Sequence, residues 1–512
     1  MKILLVRPPV PKHTIGLKHI MICEPLELEY VAANLHGHEL MIFDHLVERG
    51  FKRRFINFEP DVVVSSCYKT GTNEVIKIFR TIKSINPNCI TIVGGVHATL
   101  VPEDFADISV DIIGIGDGTF LLAEIIDKIE NNLTLIDIPG IAIPIDKKII
   151  IKSAKRPYMV KADTLPFPRR DLVKHLKNKY YYLMHKPVVT IKTTWGCWYK
   201  CNFCFTWKIT DGLPYSRSPE SIIEELLIIE EKEIYIVDDI FLINNNRLSK
   251  LASLIKEHNI KKNYLCYARA DFIVENESVI KEWALLGLVA VFVGLDAVTE
   301  KELIDMNKQL PVDYNKKAIE ILMKHKVDTY GSLIPGADYE KKDWNRLWEF
   351  IKNNKLYYVN ISPATPLPGA ADYEALKPNL TVPEDAHDLF DLSHQLSPTK
   401  MPTKKYYREL LKLYAKTILN TKRASENTFR TLPSIWSLDY WKIILGALKI
   451  GRQFFGGHNH HSEKELKISR YKGIELKQYS FSNKFEHPSF KGFMNEGKEE
   501  QAIKDQRMEV LS

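Results

Sequence analysis

The 512-residue sequence predicts an α/β protein: a Rossmann-like doubly wound sheet, then a partial (β/α)6 TIM-like barrel, then a mostly helical C-terminal region. Three observations carry that expectation. Short apolar runs alternate with helix-length amphipathic stretches over residues 1–145, and a second, more widely spaced series fills residues 181–395. Beyond Pro398 the pattern turns helical. Residues 146–180 read as a proline-bearing linker, 396–460 as a helical C-terminal domain and 461–512 as a polar tail.

In the first region "KILLV" (2–6), "ELMIF" (39–43), "DVVVSS" (61–66), "ITIVGG" (90–95) and "DIIGIG" (111–116) read as buried parallel strands. Stretches such as "EVIKIFRTIKSI" (74–85) are long enough to be crossover helices. A doubly wound sheet takes its ligand beyond the carboxyl ends of its strands. Those ends carry Asp44, then Ser65, Ser66 and Cys67, then Gly94, Gly95 and His97 with Thr99, then Gly114, Gly116 and Gly118. One glycine turn only joins a strand to a helix; several at one sheet edge let backbone approach a ligand. In the second region "PVVTIKTTW" (187–195), "EIYIVDD" (233–239), "YLCYARAD" (264–271), "LVAVFVGLDA" (288–297), "VDTYGSLIPGAD" (327–338) and "LYYVNISPATPLPGA" (356–370) supply six strand–helix units. "KKYYRELLKLYAKTIL" (404–419) is the clearest later helix.

Composition narrows the function classes. No run of 18 uncharged apolar residues exists, so no transmembrane helix is expected. "MKILLVRPPV" reads as a first buried strand and not as a signal peptide. Cys23, Cys67, Cys89 and Cys266 lie far apart, which disfavours a secreted disulfide framework and favours a reducing cytoplasm. The net charge of +7 is modest, and no nucleic-acid partner is expected.

The remaining three cysteines sit together in "TTWGCWYKCNFCFTW" (193–207), just past the first barrel strand. Cys197, Cys201 and Cys204 can ligate three irons of a four-iron cubane and leave one iron open to a small molecule. Thiolates select soft metals, which rules out magnesium or calcium. The competing reading is a zinc site completed by a distant residue such as Cys266 or His185.

The loop resembles the Cys-x3-Cys-x-aromatic-Cys signature of the radical S-adenosylmethionine superfamily, with Phe203 in the aromatic place. The resemblance implies a [4Fe-4S] cluster whose open iron chelates S-adenosylmethionine, and an electron donor to the cluster. It implies further contacts. Asp238 and Asp239 end the second barrel strand, at the methionyl amine, and Arg269 and Asp271 end the third. Asp296 of "GLDA" stands where the family more often has Glu, and "IPG" (334–336) lies at the adenosine.

"VGGVHAT" (93–99) and "GIGDGT" (114–119) resemble turns of the cobalamin-binding module that precedes the barrel in one branch of the superfamily. That likeness implies corrin contacts from Gly94, Gly95, His97, Thr99, Gly116 and Gly118. The Asp-x-His-x-x-Gly signature is missing, since Asp44 and His45 are adjacent in "FDHLVERGF". As in many methylases of the branch, this implies no lower histidine ligand to cobalt, with His97 and His45 structural or corrin-contacting.

Within that branch the chain is similar to the hopanoid C-3 methylases over roughly residues 1–455, through "EPLELEYVAANL" (24–35), "YIVDDIFLI" (235–243), "YARAD" (267–271), "VNISPATPLPGA" (359–370) and "SPTKMPTKKYYRELLKLYAKTIL" (397–419). The implied reaction is cobalamin-dependent methylation of an unactivated sp3 carbon in a hopanoid-like lipid. Methylation of a peptide or other natural product, and a lipid coupling or cyclising reaction, share the same motifs and stay open.

From Lys404 to Phe455, Lys and Arg outnumber Asp and Glu by 11 to 3. Inside that stretch "SIWSLDYWKIILGALKIGRQFF" (434–455) reads equally as an interfacial membrane helix or as a helix covering the barrel. The first reading puts the chain peripherally on the inner face of a membrane. "HNHH" (458–461) reads as a solvated run or a metal site.

Overall fold

The computed structural model describes residues 1–16, 18, 20–146, 149–154, 156, 162–420, 438–457, 476, 486–490 and 493. "HNHH", the start of the proposed interfacial segment and most of the polar tail lie outside the described residues.

The first sheet is built from β1 (Lys2–Arg7), β2 (Glu39–Asp44), β3 (Val62–Ser66), β4 (Ile90–Gly94) and β5 (Ile112–Gly114), with β6 (Ile141–Asp146) and β7 (Ile149–Lys152) at one edge. The order is β2-β1-β3-β4-β5-β6-β7. The first five strands pair in parallel, and β6 and β7 are antiparallel additions. A 2-1-3-4-5 order reverses direction between β1 and β3, which opens a crevice there for a ligand. Alternation along each strand feeds two cores. Leu4, Val6 and Val63 pack with Phe43, Phe55 and Phe79 on one face. Ile3, Leu5, Val62 and Val64 pack on the other with Leu121, Ile125 and Leu28.

The second sheet contains β8 (Val188–Ile191), β9 (Glu233–Ile236), β10 (Asn263–Arg269), β11 (Leu288–Asp296), β12 (Asp328–Leu333) and β13 (Tyr358–Ile361). All six pair in parallel in sequence order, as an open barrel segment requires. Its outward residues, such as Ile234, Val291 and Leu333, form a core with the helices. Its inward residues Tyr235, Leu265, Ala290 and Tyr330 join the core of the first sheet. The two sheets therefore share one continuous apolar interior.

The C-terminal helix Leu438–Gly457 is buried on one face and exposed on another. Ile450 and Phe454 are buried against the helix Thr403–Asn420, with the Phe454 ring 5.6 Å from Tyr414. Leu445 and Leu448 are 54 % and 65 % exposed on another face, which also displays Lys449 and Arg452. One side packs on the helix Thr403–Asn420; the other meets solvent.

Candidate active site

The carboxyl ends of the two sheets face each other, and each edge is prepared differently. On the first sheet, Gly95 has φ +94°, and a side chain there would collide with Ser66. Gly116 has φ +97° with nothing within 4 Å of an added Cβ. That open space beside two glycine turns is a cradle into which backbone can receive a large planar ligand. Thr99 ties the turns together: its hydroxyl donates to Gly95 O (2.9 Å) and accepts from the Gly116 N–H (3.0 Å). Gly94 lies alongside Gly114, and Gly118 begins the helix Gly118–Glu130, capped by Asp117 through the Thr119 N–H (2.8 Å).

His97 is 2 % exposed and its Nε2 lies 2.7 Å from Asp104 Oδ2. His45 lies between the rings of Phe43 (4.8 Å) and Phe51 (5.1 Å), and burial beside Arg49 pushes its pKa down to about 4. Both imidazoles are thus held by this chain's own groups.

On the barrel, Cys197, Cys201 and Cys204 are free thiols in one loop. Burial raises all three pKa values, Cys197 to about 11, while Lys308 and Arg269 pull Cys201 the other way. The nearby cations favour the thiolates a cluster needs. The three sulfurs do not all fall within 4.8 Å of one another. Ligands of one tetrahedral zinc, each about 2.3 Å from the metal, would do so. The spread fits a cubane. The distant zinc ligands also fail: Cys266 is fully buried in the barrel core, and His185 Nδ1 lies 2.6 Å from Glu233.

Charged residues from three other strands hold this loop. Asp238, 1 % exposed, spends both oxygens on Thr193, accepting from its N–H and its hydroxyl (2.5 Å each). Asp239 accepts from the Gly196 N–H (2.8 Å) and from Lys192 (3.3 Å) through Oδ2, so Oδ1 takes no protein hydrogen bond. Arg269 stacks 3.6 Å from the Tyr199 ring centre, pairs with Asp271, donates to Lys308 O (2.8 Å) and reaches Cys201 Sγ (3.9 Å). Asp296 has φ +59° at an irregularity in β11 and pairs with the Lys308 ammonium, both side chains being 6 % exposed. The structure therefore gathers Asp238, Asp239, Arg269 and Asp296 around the cysteine loop; Asp238 has both oxygens engaged, while Asp239 and Asp296 each keep an Oδ1 without a protein hydrogen bond.

The two edges touch. The Tyr30 and Trp195 rings are 6.0 Å apart, and a Cβ on Gly369 would lie 2.8 Å from Leu100 and 3.3 Å from Phe205. Tyr68 is 65 % exposed, and Glu27, Asp239, Tyr267 and Arg7, drawn from both halves, lie within electrostatic reach of its phenol. Sequence reasoning missed Tyr68, Glu27, Thr193 and Lys308. Tyr68 and Thr193 directly adjoin motifs that were read. Lys308 carries no local signal, because its burial depends on Asp296 twelve residues away.

Comparison with known proteins agrees with this geometry. Residues 13–126 match the B12 binding domain and residues 191–351 the radical SAM superfamily. The chain is 29 % identical to the hopanoid C-3 methylase of Methylococcus capsulatus over 422 residues, covering 80 % of this chain and 79 % of that protein. The cobalamin-dependent S-adenosylmethionine radical enzyme OxsB, solved with aqua-cobalamin and S-adenosylmethionine, superposes with TM-score 0.67 at 15 % identity, covering all of this chain and 81 % of its own. The radical S-adenosylmethionine methyltransferase TsrM of Kitasatospora setae, solved with tryptophan and a S-adenosylmethionine analogue, gives 0.66 at 14 % identity over 92 % of this chain and 100 % of its own. A glycine cradle that fits cobalamin, opposed to a three-cysteine loop that fits a [4Fe-4S] cluster and S-adenosylmethionine, accords with those matches, and the chain is a radical S-adenosylmethionine methyltransferase with a cobalamin-binding domain.

Proposed function

We propose that the chain methylates an unactivated sp3 carbon of a hopanoid-like polycyclic lipid, at C-3. The observation that carries this reading is the extent of the likeness to the hopanoid C-3 methylase, which reaches 80 % of the chain and so runs past both cofactor domains. The lining of the barrel supports it. Tyr182, Phe292 and Tyr330 meet edge and face at 4.9–6.0 Å, and Tyr235 joins Tyr267 through their hydroxyls at 2.5 Å. Of these rings Tyr267, 36 % exposed, offers aromatic surface to fused rings, and Tyr235 and Tyr330, 4 % and 5 % exposed, back it from within.

Bound together, cluster and S-adenosylmethionine supply a hydrogen-abstracting radical and cobalamin supplies the methyl group. The chain's own residues position these groups. Gly95 and Gly116 admit the corrin, Asp239 accepts the methionyl ammonium through Oδ1, and Arg269 and Lys308 hold the Cys201 side of the loop. The shared apolar interior keeps both sites at a fixed separation and excludes water. An electron donor must reach the cluster from outside.

We also infer peripheral contact with anionic bilayers through Leu445, Leu448, Lys449 and Arg452, since apolar and basic groups share one face there. Among the described residues no helix is long and apolar enough to cross a membrane. The lipid profile of cells with and without the chain tests the substrate. A methylated polycyclic lipid, formed with S-adenosylhomocysteine in a turnover assay, is expected. A methylated peptide, or a coupled or cyclised lipid with no methyl transfer, would give the function to one of the alternatives.

A further inference from the structure

One cluster of side chains takes no part in the reaction as described. His97 and Asp104 come from the segment after β4, and His387 from the turn His387–Leu389 beyond the barrel. One ligand atom from each lies within 4.8 Å of the others, the only such triad among the described residues. Asp104 Oδ2 is the hub, 2.7 Å from His97 Nε2 and 3.7 Å from His387 Nδ1. The imidazoles are 2 % and 6 % exposed, and His387 Nδ1 has no hydrogen-bond partner. A buried ring nitrogen aimed at a carboxylate and satisfied by nothing costs about 1–3 kcal/mol unless another group completes it.

We propose that His97, Asp104 and His387 bind a divalent transition ion of the zinc class. Two imidazole nitrogens and one carboxylate oxygen are an ordinary donor set for such an ion. Lys69 is the group it must displace: its ammonium lies 3.2 Å from the same Asp104 oxygen and 4.6 Å from the Phe390 ring centre. The place is thus already shaped for positive charge. Binding moves the lysine aside and exchanges one cation for another, with no redox change. The ion fastens the segment around His387 to the glycine edge. Hydrogen bonds already tie that segment to other parts of the first domain, from Thr14 to Asp388 O (2.8 Å) and from Asn73 to Asp388 (3.3 Å). It also commits His97, which lies inside one glycine motif, to a partner other than cobalt.

The test is elemental analysis and zinc X-ray absorption on the full chain carrying its cluster and cobalamin, after incubation with zinc and desalting. One zinc per chain with nitrogen and oxygen neighbours only is expected. Occupancy should fall more than ~10-fold in His387→Gln and persist in Cys201→Ala. Lys69→Met should hold its zinc against more chelator than the wild type does, because it removes the competitor and leaves the ligands intact. Zinc bound through sulfur, zinc unchanged in His387→Gln, or a Lys69→Met protein that folds but loses its zinc to a chelator as readily as the wild type would each overturn the site.

Discussion

The glycine edge and the cysteine loop hold their cofactors by opposite means. The first is built by leaving side chains out: Gly116 faces open space, and Thr99 only pins the turns. The second is crowded, with Asp238 and Asp239, Arg269 and Lys308 arriving from separate strands and loops to brace the loop between Thr193 and Cys201. A large corrin is gripped over a wide area, so no single protein atom needs to be exact. A cluster with one open iron depends on a few atoms, so each is braced.

That contrast implies a ranked set of outcomes. Cys201→Ala should abolish the cubane's electron paramagnetic signal and all cleavage of S-adenosylmethionine, while cobalamin binding survives. Retained 5′-deoxyadenosine production would show that the two edges do not divide the work as described. Next, Lys308→Met strands the buried Asp296 carboxylate and should cost about 3–5 kcal/mol in chemical denaturation. The double change Lys308→Met with Asp296→Asn should recover part of it, whereas equal losses would mean that the pair does not act as a unit.

Gly95→Ala and Gly116→Ala separate packing from ligand space within the first edge. Both adopt positive φ, so each should lose about 1–2 kcal/mol of stability. Gly95→Ala loses more through its collision with Ser66, and Gly116→Ala should weaken cobalamin retention beyond what its stability loss explains. Full retention by the Gly116 variant would remove the cradle assignment. The smallest effect is a pH dependence. His45 is held neutral, with its pKa lowered from 6.5 to about 4, so its contribution is complete above pH 6.5 and is lost as pH falls toward 4. Unfolding midpoints across that window should fall less steeply in His45→Asn than in the wild type.

Legibility in the sequence followed the same divide. Strands announced themselves because both sheets are buried on two faces, which leaves unbroken apolar runs such as "DVVVSS" and "LVAVFVGLDA". Glycine turns and the cysteine spacing are local and could be read directly. The bracing was hidden: that Thr193 would consume both oxygens of Asp238, or that Lys308 would neutralise Asp296, depends on loops meeting after folding. The C-terminal helix could not be resolved by periodicity, because its sequence carries two apolar faces and only the position of Tyr414 shows which one is covered.

The common interior that runs from Ile3 and Leu5 through Leu265 to Tyr330 has a consequence for how such a protein could be taken apart. Two modules that each close their own core can be traded between genes or expressed as separate polypeptides. Here a cut in the linker would leave each fragment with an uncovered greasy wall. The halves would then need to meet while still nascent, and a recombined chain bearing a foreign partner would inherit a seam that neither sequence was selected to seal.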